Sequence, residues 1–229
     1  MAKQLDNTEE KIHKVEEALS KSEQFIERYQ MLISIIIGAI VLIVLGYFAF
    51  KRYYIQPREK EAQAQMWKAE RYFEQDSLDK ALNGDGSYPG FLGIIDDYSM
   101  TKPANLSKYY AGICYLKKGE FQNAIDYLEK YKNNDIMVAA MAKGGIGDAY
   151  LELGDAKKAL EYYQMAADEF ENEFTTPVFL MKIAWTHENN KEYQKAIDTY
   201  QRIKTDYPKS SEARGIEKYI VRAKALMTP

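Results

Sequence analysis

The sequence predicts an all-α protein: an N-terminal helix, a single transmembrane helix, then an α-solenoid of three to four helical hairpins with a C-terminal capping helix. Three observations carry this reading. Residues 31–50 are apolar and contain no charge. After them, a pattern of small and aromatic residues recurs three times, at intervals of 35 and 37 residues. Before them, apolar positions fall three and four apart, the period of a helix with one buried stripe.

The first element is residues 1–30. Leu5, Thr8, Ile12, Val15, Leu19, Ser22, Ile26 and Tyr29 form an a/d seam of four heptads, with Lys11 and Glu16 at g and e positions. Two readings fit this coiled-coil-like seam. One is a parallel homodimer through residues 5–29; the other is a lone amphipathic helix lying on a membrane or a partner.

Residues 31–50 follow as a signal anchor. Twenty residues at ~1.5 Å each span ~30 Å, the thickness of a bilayer core. Arg28 and Tyr29 on one side, and Lys51, Arg52, Tyr53 and Tyr54 on the other, suit the headgroup layers. A cleaved signal peptide fits poorly: the preceding segment is long and acidic, the apolar run is long, and Tyr47 and Phe48 stand where a small-residue cleavage site belongs. Lys11, Lys14, Lys21 and Arg28 before the run nearly balance Lys51, Arg52, Arg58, Lys60 and Lys68 after it, so charge does not orient the helix.

Residues 51–229 make one domain's worth of chain. The whole sequence has 31 Lys+Arg against 34 Asp+Glu, and this near balance excludes the basic footprint of a nucleic-acid binder. A single cysteine, Cys114, excludes an intrachain disulfide and a Cys-rich zinc site, and its neighbours Gly112, Ile113 and Tyr115 suggest a small buried residue in a helix. The 19 tyrosines suit helix–helix packing in which a ring is buried and its hydroxyl reaches the surface. Pro57 predicts a kink or break near Gln56. The stretch 82–105 is rich in turn residues and encloses a short apolar helix at 91–95.

The recurring pattern reads Gly112-x2-Tyr115-x3-Gly119-x-Phe121-x2-Ala124, then Gly147-x2-Tyr150-x3-Gly154-x-Ala156-x2-Ala159, then Ala184-x2-His187-x3-Lys191-x-Tyr193-x2-Ala196. Tyr163 and Tyr200 follow the last two, and Pro208 closes the third. This is the motif of the tetratricopeptide repeat (TPR), whose period is about 34 residues. Its chemistry is packing: Gly112, Gly147 and Ala184 let paired helices approach, Ala124, Ala159 and Ala196 do so from the second helix, and Tyr115, Tyr150, Tyr163 and Tyr200 fill the wedges. The clear repeats are expected at about 105–139, 140–176 and 177–209, with a capping helix over 210–227. A degenerate repeat at about 62–104 carries Ala69, Tyr72, Leu78 and Ala81 in matching places.

Resemblance to TPR arrays implies a peptide groove lined by the second, fifth, ninth and twelfth residues of each repeat. Here these are Leu106, Tyr109, Ile113 and Leu116; Met141, Gly144, Asp148 and Leu151; and Val178, Met181, Trp185 and Glu188. The set is mostly apolar, which suits hydrophobic peptide segments. It departs at almost every position from the Lys and Asn pattern of TPR domains that clamp acidic chaperone C-termini. No catalytic constellation, phosphate loop or metal-ligand spacing is present, so no enzyme activity, cofactor or metal is expected. His13 and His187 sit in no motif, and Asp168-Glu169-x-Glu171 reads as a solvated helix face.

One transmembrane helix ahead of a TPR domain resembles the bacterial ancillary SecYEG translocon subunit family. That resemblance implies a bacterial inner-membrane scaffold with a cytoplasmic N-terminus and a periplasmic TPR domain. Its partners would be Sec translocon subunits, periplasmic chaperones or exported polypeptides. The alternative is an envelope-assembly or cell-division coordinator, an adaptor that uses the N-terminal helix and the back face of the solenoid.

Overall fold

The computed structural model describes residues 28–132 and 135–227. The N-terminal seam from Leu5 to Ile26 lies outside the described residues. The chain divides into two compact units, Met1–Pro57 and Arg58–Pro229.

In the first unit the apolar run is a helix, α1 (28–50), on which Ile36, Leu42, Ile43 and Leu45 are all exposed. Among the described residues, the helical run Arg28–Glu74 is the one long and apolar enough to cross a membrane. The kink or break expected near Gln56 takes the form of a change of helix type just before it, and the helix does not end at Pro57. Lys51–Ile55 forms one turn of π-helix, in which the Gln56 N–H donates to the Lys51 carbonyl. The next helix, α2 (Gln56–Glu74), runs through the proline. One extra residue in the turn shifts the carbonyl that the Pro57 ring would otherwise strike, so the helix is widened rather than broken.

In the second unit α2 meets α3 (Leu78–Asn83) in a first hairpin; a loop and the short α4 (Phe91–Asp97) follow. Regular hairpins come next: α5 (Lys102–Lys117) with α6 (Phe121–Lys130), α7 (Ile136–Glu152) with α8 (Ala156–Asp168), and α9 (Thr176–Asn189) with α10 (Tyr193–Asp206). The last helix, α11 (Ile216–Met227), packs on α10. It starts later than the predicted residue 210. Ser210 Oγ accepts the Ala213 N–H at 3.1 Å, which ties the chain into a turn, and Gly215 then adopts a φ of +75°.

Among the described residues, four hairpin turns share one structure. Asp76, Gly119, Gly154 and Lys191 occupy the left-handed region, with φ of +55°, +77°, +81° and +60°. The following N–H, of Ser77, Glu120, Asp155 or Glu192, donates to the carbonyl of Tyr72, Tyr115, Tyr150 or His187 at 2.8–2.9 Å. This six-to-one bond satisfies a carbonyl that the helix end would leave bare. Its recurrence gives the first hairpin the same turn as the later ones.

Within each hairpin the helices touch at small residues. A Cβ at Gly112 would lie 2.5 Å from Leu128 Cγ, and one at Gly147 would lie 2.6 Å from Tyr163 Cδ1. Ala184 takes the equivalent place in α9, and Ala124, Ala159 and Ala196 face these positions fully buried. Tyr115 stacks on Tyr127 at 5.3 Å and Tyr150 on Tyr162 at 5.5 Å. Tyr163 and Tyr200 are buried outright. Pro208 follows the end of α10, where the chain leaves the last hairpin.

Candidate protein-interaction groove

Helices α5, α7 and α9 open successive hairpins, and their side chains share one face of the second unit. Each start is fixed locally. Thr101 Oγ1 accepts the Ala104 N–H at 3.3 Å to begin α5, and Pro103 sits in its first turn. Asp135 Oδ1 accepts the Met137 and Val138 N–H groups, both at 3.0 Å, to begin α7. Pro177 opens α9 after a turn held by Asn172, whose Oδ1 accepts the Phe174 and Thr175 N–H groups at 2.8 Å. Such caps fix the phase of each helix and so decide which side chains face the groove.

On α5, Leu106, Tyr109, Ile113 and Leu116 are half-buried and pack against the core between α6 and α7. On α7, Met141 is 42% exposed and Leu151 is exposed beyond it. On α9, Val178 is half-buried, Trp185 is 44% exposed, and Met181, at 7%, forms a floor. Gly144 is a correction: read from the repeat as a groove residue, it lies beneath Phe179, where an added Cβ would come within 1.9 Å of the ring. Helices α7 and α9 meet at that point.

The two acidic groove positions are committed to neighbouring helices. Asp148 accepts Lys182 Nζ at 2.5 and 2.7 Å and the Tyr163 hydroxyl at 2.7 Å. Burial, then the Asp148 charge, pushes the Tyr163 phenol well above its usual range and keeps it a donor. Glu188 accepts from Arg222 of α11. On the other helices Arg202 donates to Asp168 at 3.2 Å. All three pairs join residues 34 apart. Glu171 is likewise engaged, accepting the Tyr207 hydroxyl at 2.6 Å, while Glu169 between them is exposed.

Between α9 and α11 lies a cavity of about 250 Å³ lined by Val178, Met181, Lys182, Trp185, Arg214 and Tyr219, among others. Trp185 stands edge-on to Tyr219 at 6.4 Å, and Tyr219 stacks on Tyr200 at 5.6 Å. Reasoning from the repeat motif missed Tyr219 and Arg214. Tyr219 falls 34 residues after Trp185, so one more step of the repeat register would have found it. The turn-rich segment before α5 closes on α2: Tyr72 donates to Asp85 at 2.6 Å, and the Trp67 and Tyr88 rings meet at 6.0 Å.

The remaining chemistry-bearing groups are structural in their surroundings. His187 Nδ1 lies 2.7 Å from Glu192 Oε2 across the last hairpin turn. Burial pushes the Cys114 thiol up to about 12, which leaves it protonated and inert. Among the described residues, no group of three or more His, Cys, Asp or Glu side chains could hold a metal ion.

Two family models, both described as tetratricopeptide repeat, match this chain: one over residues 107–135 and 179–210, the other over 137–174. Among solved structures, the chain is similar to the nearly identical TPR-like repeats of a Podosopora anserina protein described as a kinesin light chain. It is equally similar to a second crystal structure of those repeats that carries a single substitution. Each is 14% identical, with a TM-score of 0.54, over 72% of this chain and 86% of that one. At that identity the likeness shows the fold alone. No curated protein matches the chain. The chain carries tetratricopeptide repeats arranged as an all-α solenoid, an architecture of protein-interaction scaffolds.

Proposed function

We propose that this protein is a membrane-anchored, non-catalytic scaffold whose groove receives apolar polypeptide segments. One observation carries the reading. Met141, Leu151 and Trp185 are exposed on the groove face, while its acidic positions are engaged in the Asp148–Lys182 and Glu188–Arg222 pairs. A face that presents aromatic and thioether surface, with Asp148 and Glu188 each held in an ion pair, favours uncharged, apolar partners. The α9–α11 cavity would take one large side chain against Trp185 and Tyr219. Helix α1 supplies the anchor.

The finer reading follows the architectural resemblance. It puts α1 in a bacterial inner membrane and residues 51–229 on the periplasmic side, beside the Sec channel, where exported chains emerge unfolded. A photocrosslinking residue at Trp185, introduced in the full chain and activated in native membranes, tests it. Labelling of secretory precursors together with copurified channel subunits supports the reading. Labelling of a single resident envelope protein, with no channel subunit recovered, refutes it.

A further inference from the structure

Helices α5, α7, α9 and α11 all begin on one edge of the second unit, since each follows a returning helix; the hairpin turns form the opposite edge. The chain enters the unit on the first of these edges. Arg58 donates to the Asp97 carbonyl at the end of α4, and its guanidinium lies 5.4 Å from the centre of the Tyr98 ring, just ahead of α5. Arg58 is eight residues beyond Phe50, the last residue of the apolar run.

That edge carries a row of exposed apolar side chains. Met100, Met137 and Phe174 stand 37 residues apart, before or at the start of α5, α7 and α9. They are 65%, 49% and 73% exposed, and Ile136 is exposed beside Met137. Phe174 is held outward by the Asn172 turn described above. The opposite edge presents Asp76, Lys118 and Lys191 at its turns; its exposed apolar side chains are Leu153 and, at the end of α11, Leu226 and Met227, which do not recur at the repeat spacing. Exposed apolar surface repeated in register marks a contact face.

We infer that this edge rests on the phospholipid surface, with Met100, Met137 and Phe174 reaching into the headgroup layer. The inference rests on the membrane anchoring proposed above. Only eight residues lead from Phe50 to Arg58, a helical tether of at most about 12 Å, and a headgroup layer is about 5–7 Å deep. The entry edge is therefore held within about one headgroup depth of the layer, and side chains projecting from it close the gap. The charges on the edge are mixed: Lys102, Lys132, Lys209 and Arg214 are exposed along with Asp135, Glu169 and Glu173. Apolar insertion, rather than attraction to anionic lipid, holds the edge down.

The test uses the full chain in phosphatidylcholine vesicles, labelled with the fluorophore NBD at Met100→Cys, Met137→Cys or Phe174→Cys. Lys118→Cys, Leu153→Cys and Lys191→Cys report the opposite edge, and Val41→Cys reports the anchor. Cys114 is buried and stays in place, with the unsubstituted chain as its labelling control. Lipids spin-labelled at the headgroup should quench the three row positions several-fold more than the three opposite ones. If Val41→Cys is quenched by mid-chain spin labels while the two edges respond alike, the anchor stands and this inference falls. If Val41→Cys is not quenched, the anchoring itself fails and the inference fails with it. Row labels that crosslink between copies, and lose their quenching when they do, would identify a second copy as the occupant and overturn the lipid assignment.

Discussion

Replacing Gly147 with alanine adds one methyl group at a tight point of the α7–α8 hairpin. The new Cβ would lie 2.6 Å from both Tyr163 Cδ1 and Cε1 and 3.2 Å from the Ala159 carbonyl oxygen. Carbon contacts are comfortable at about 3.5–4.0 Å, so the ring has to move by roughly an ångström. It is poorly placed to do so, because Tyr163 is buried and its hydroxyl donates to Asp148 at 2.7 Å. Overpacking of this kind costs about 1–3 kcal/mol, and loss of the hydroxyl bond adds about 1 kcal/mol. Gly154→Ala is the control. Nothing lies within 4 Å of its added Cβ, but its φ is +81°, so the expected cost is only the left-handed penalty of about 1–2 kcal/mol. Urea unfolding followed by far-UV circular dichroism should lower the midpoint more for Gly147→Ala than for Gly154→Ala, by about 1 M in the first case. The close-approach argument is refuted if Gly147→Ala unfolds with the parent, or if Gly154→Ala proves the more damaging change.

Lys191 holds a glycine's conformation with a side chain attached, so Lys191→Gly should raise the thermal midpoint, by about 1 kcal/mol of stability; a lower midpoint would contradict the shared-turn reading. Asp85 accepts hydrogen bonds from the Tyr72 hydroxyl and from the Tyr88 and Ser87 N–H groups, which lower its carboxyl from 3.8 to about 2. A depressed folded pKa stabilises above the unfolded value and is lost as pH falls through the folded one. The stability gap between the parent and Asp85→Asn should therefore be full above pH 3.8 and close toward pH 2; a gap that persists in acid sinks this account. Lys182→Met should cost about 1–2 kcal/mol, less than a fully buried pair because both partners are about a third exposed. Adding Asp148→Asn should recover part of that loss in a urea titration, and no recovery would mean that Lys182 acts through packing alone.

The sequence carried the regular hairpins openly because their pattern is periodic and each motif residue has a local job. The first hairpin was harder to read. Asp76 replaces the turn glycine there, and only the backbone shows that it adopts the same left-handed geometry. Pro57 marked the disturbed turn but not its form, because helix-breaking rules assume an unaltered turn and a π-turn sidesteps the clash. Groove positions could be numbered from the repeat, but not their exposure. Gly144 disappears beneath Phe179 of the next hairpin, and Asp148 and Glu188 are claimed by cations 34 residues away. These are contacts between repeats, and a motif defined within one repeat does not contain them. The row at 100, 137 and 174 was equally present in the sequence. Its meaning required knowing which edge the chain enters.

The ion pairs Asp148–Lys182, Asp168–Arg202 and Glu188–Arg222 sit at the joints between repeats, beside apolar contacts such as Phe179 over Gly144, whereas the hairpin interiors are sealed by Gly147, Tyr163 and their apolar neighbours. In a solenoid, cooperativity is a property of the joints: each repeat has its own stability, and nearest-neighbour coupling makes the array unfold as one. Salt weakens exposed charge pairs while leaving apolar packing intact. Ionic strength therefore acts on the coupling more than on the units. The effect of salt should be small, because Phe179 and Leu180 of α9 share one buried apolar cluster with Ala140 of α7 and Tyr163 of α8; early protease cleavage within residues 169–175 at high salt would show that the charges hold the joint instead.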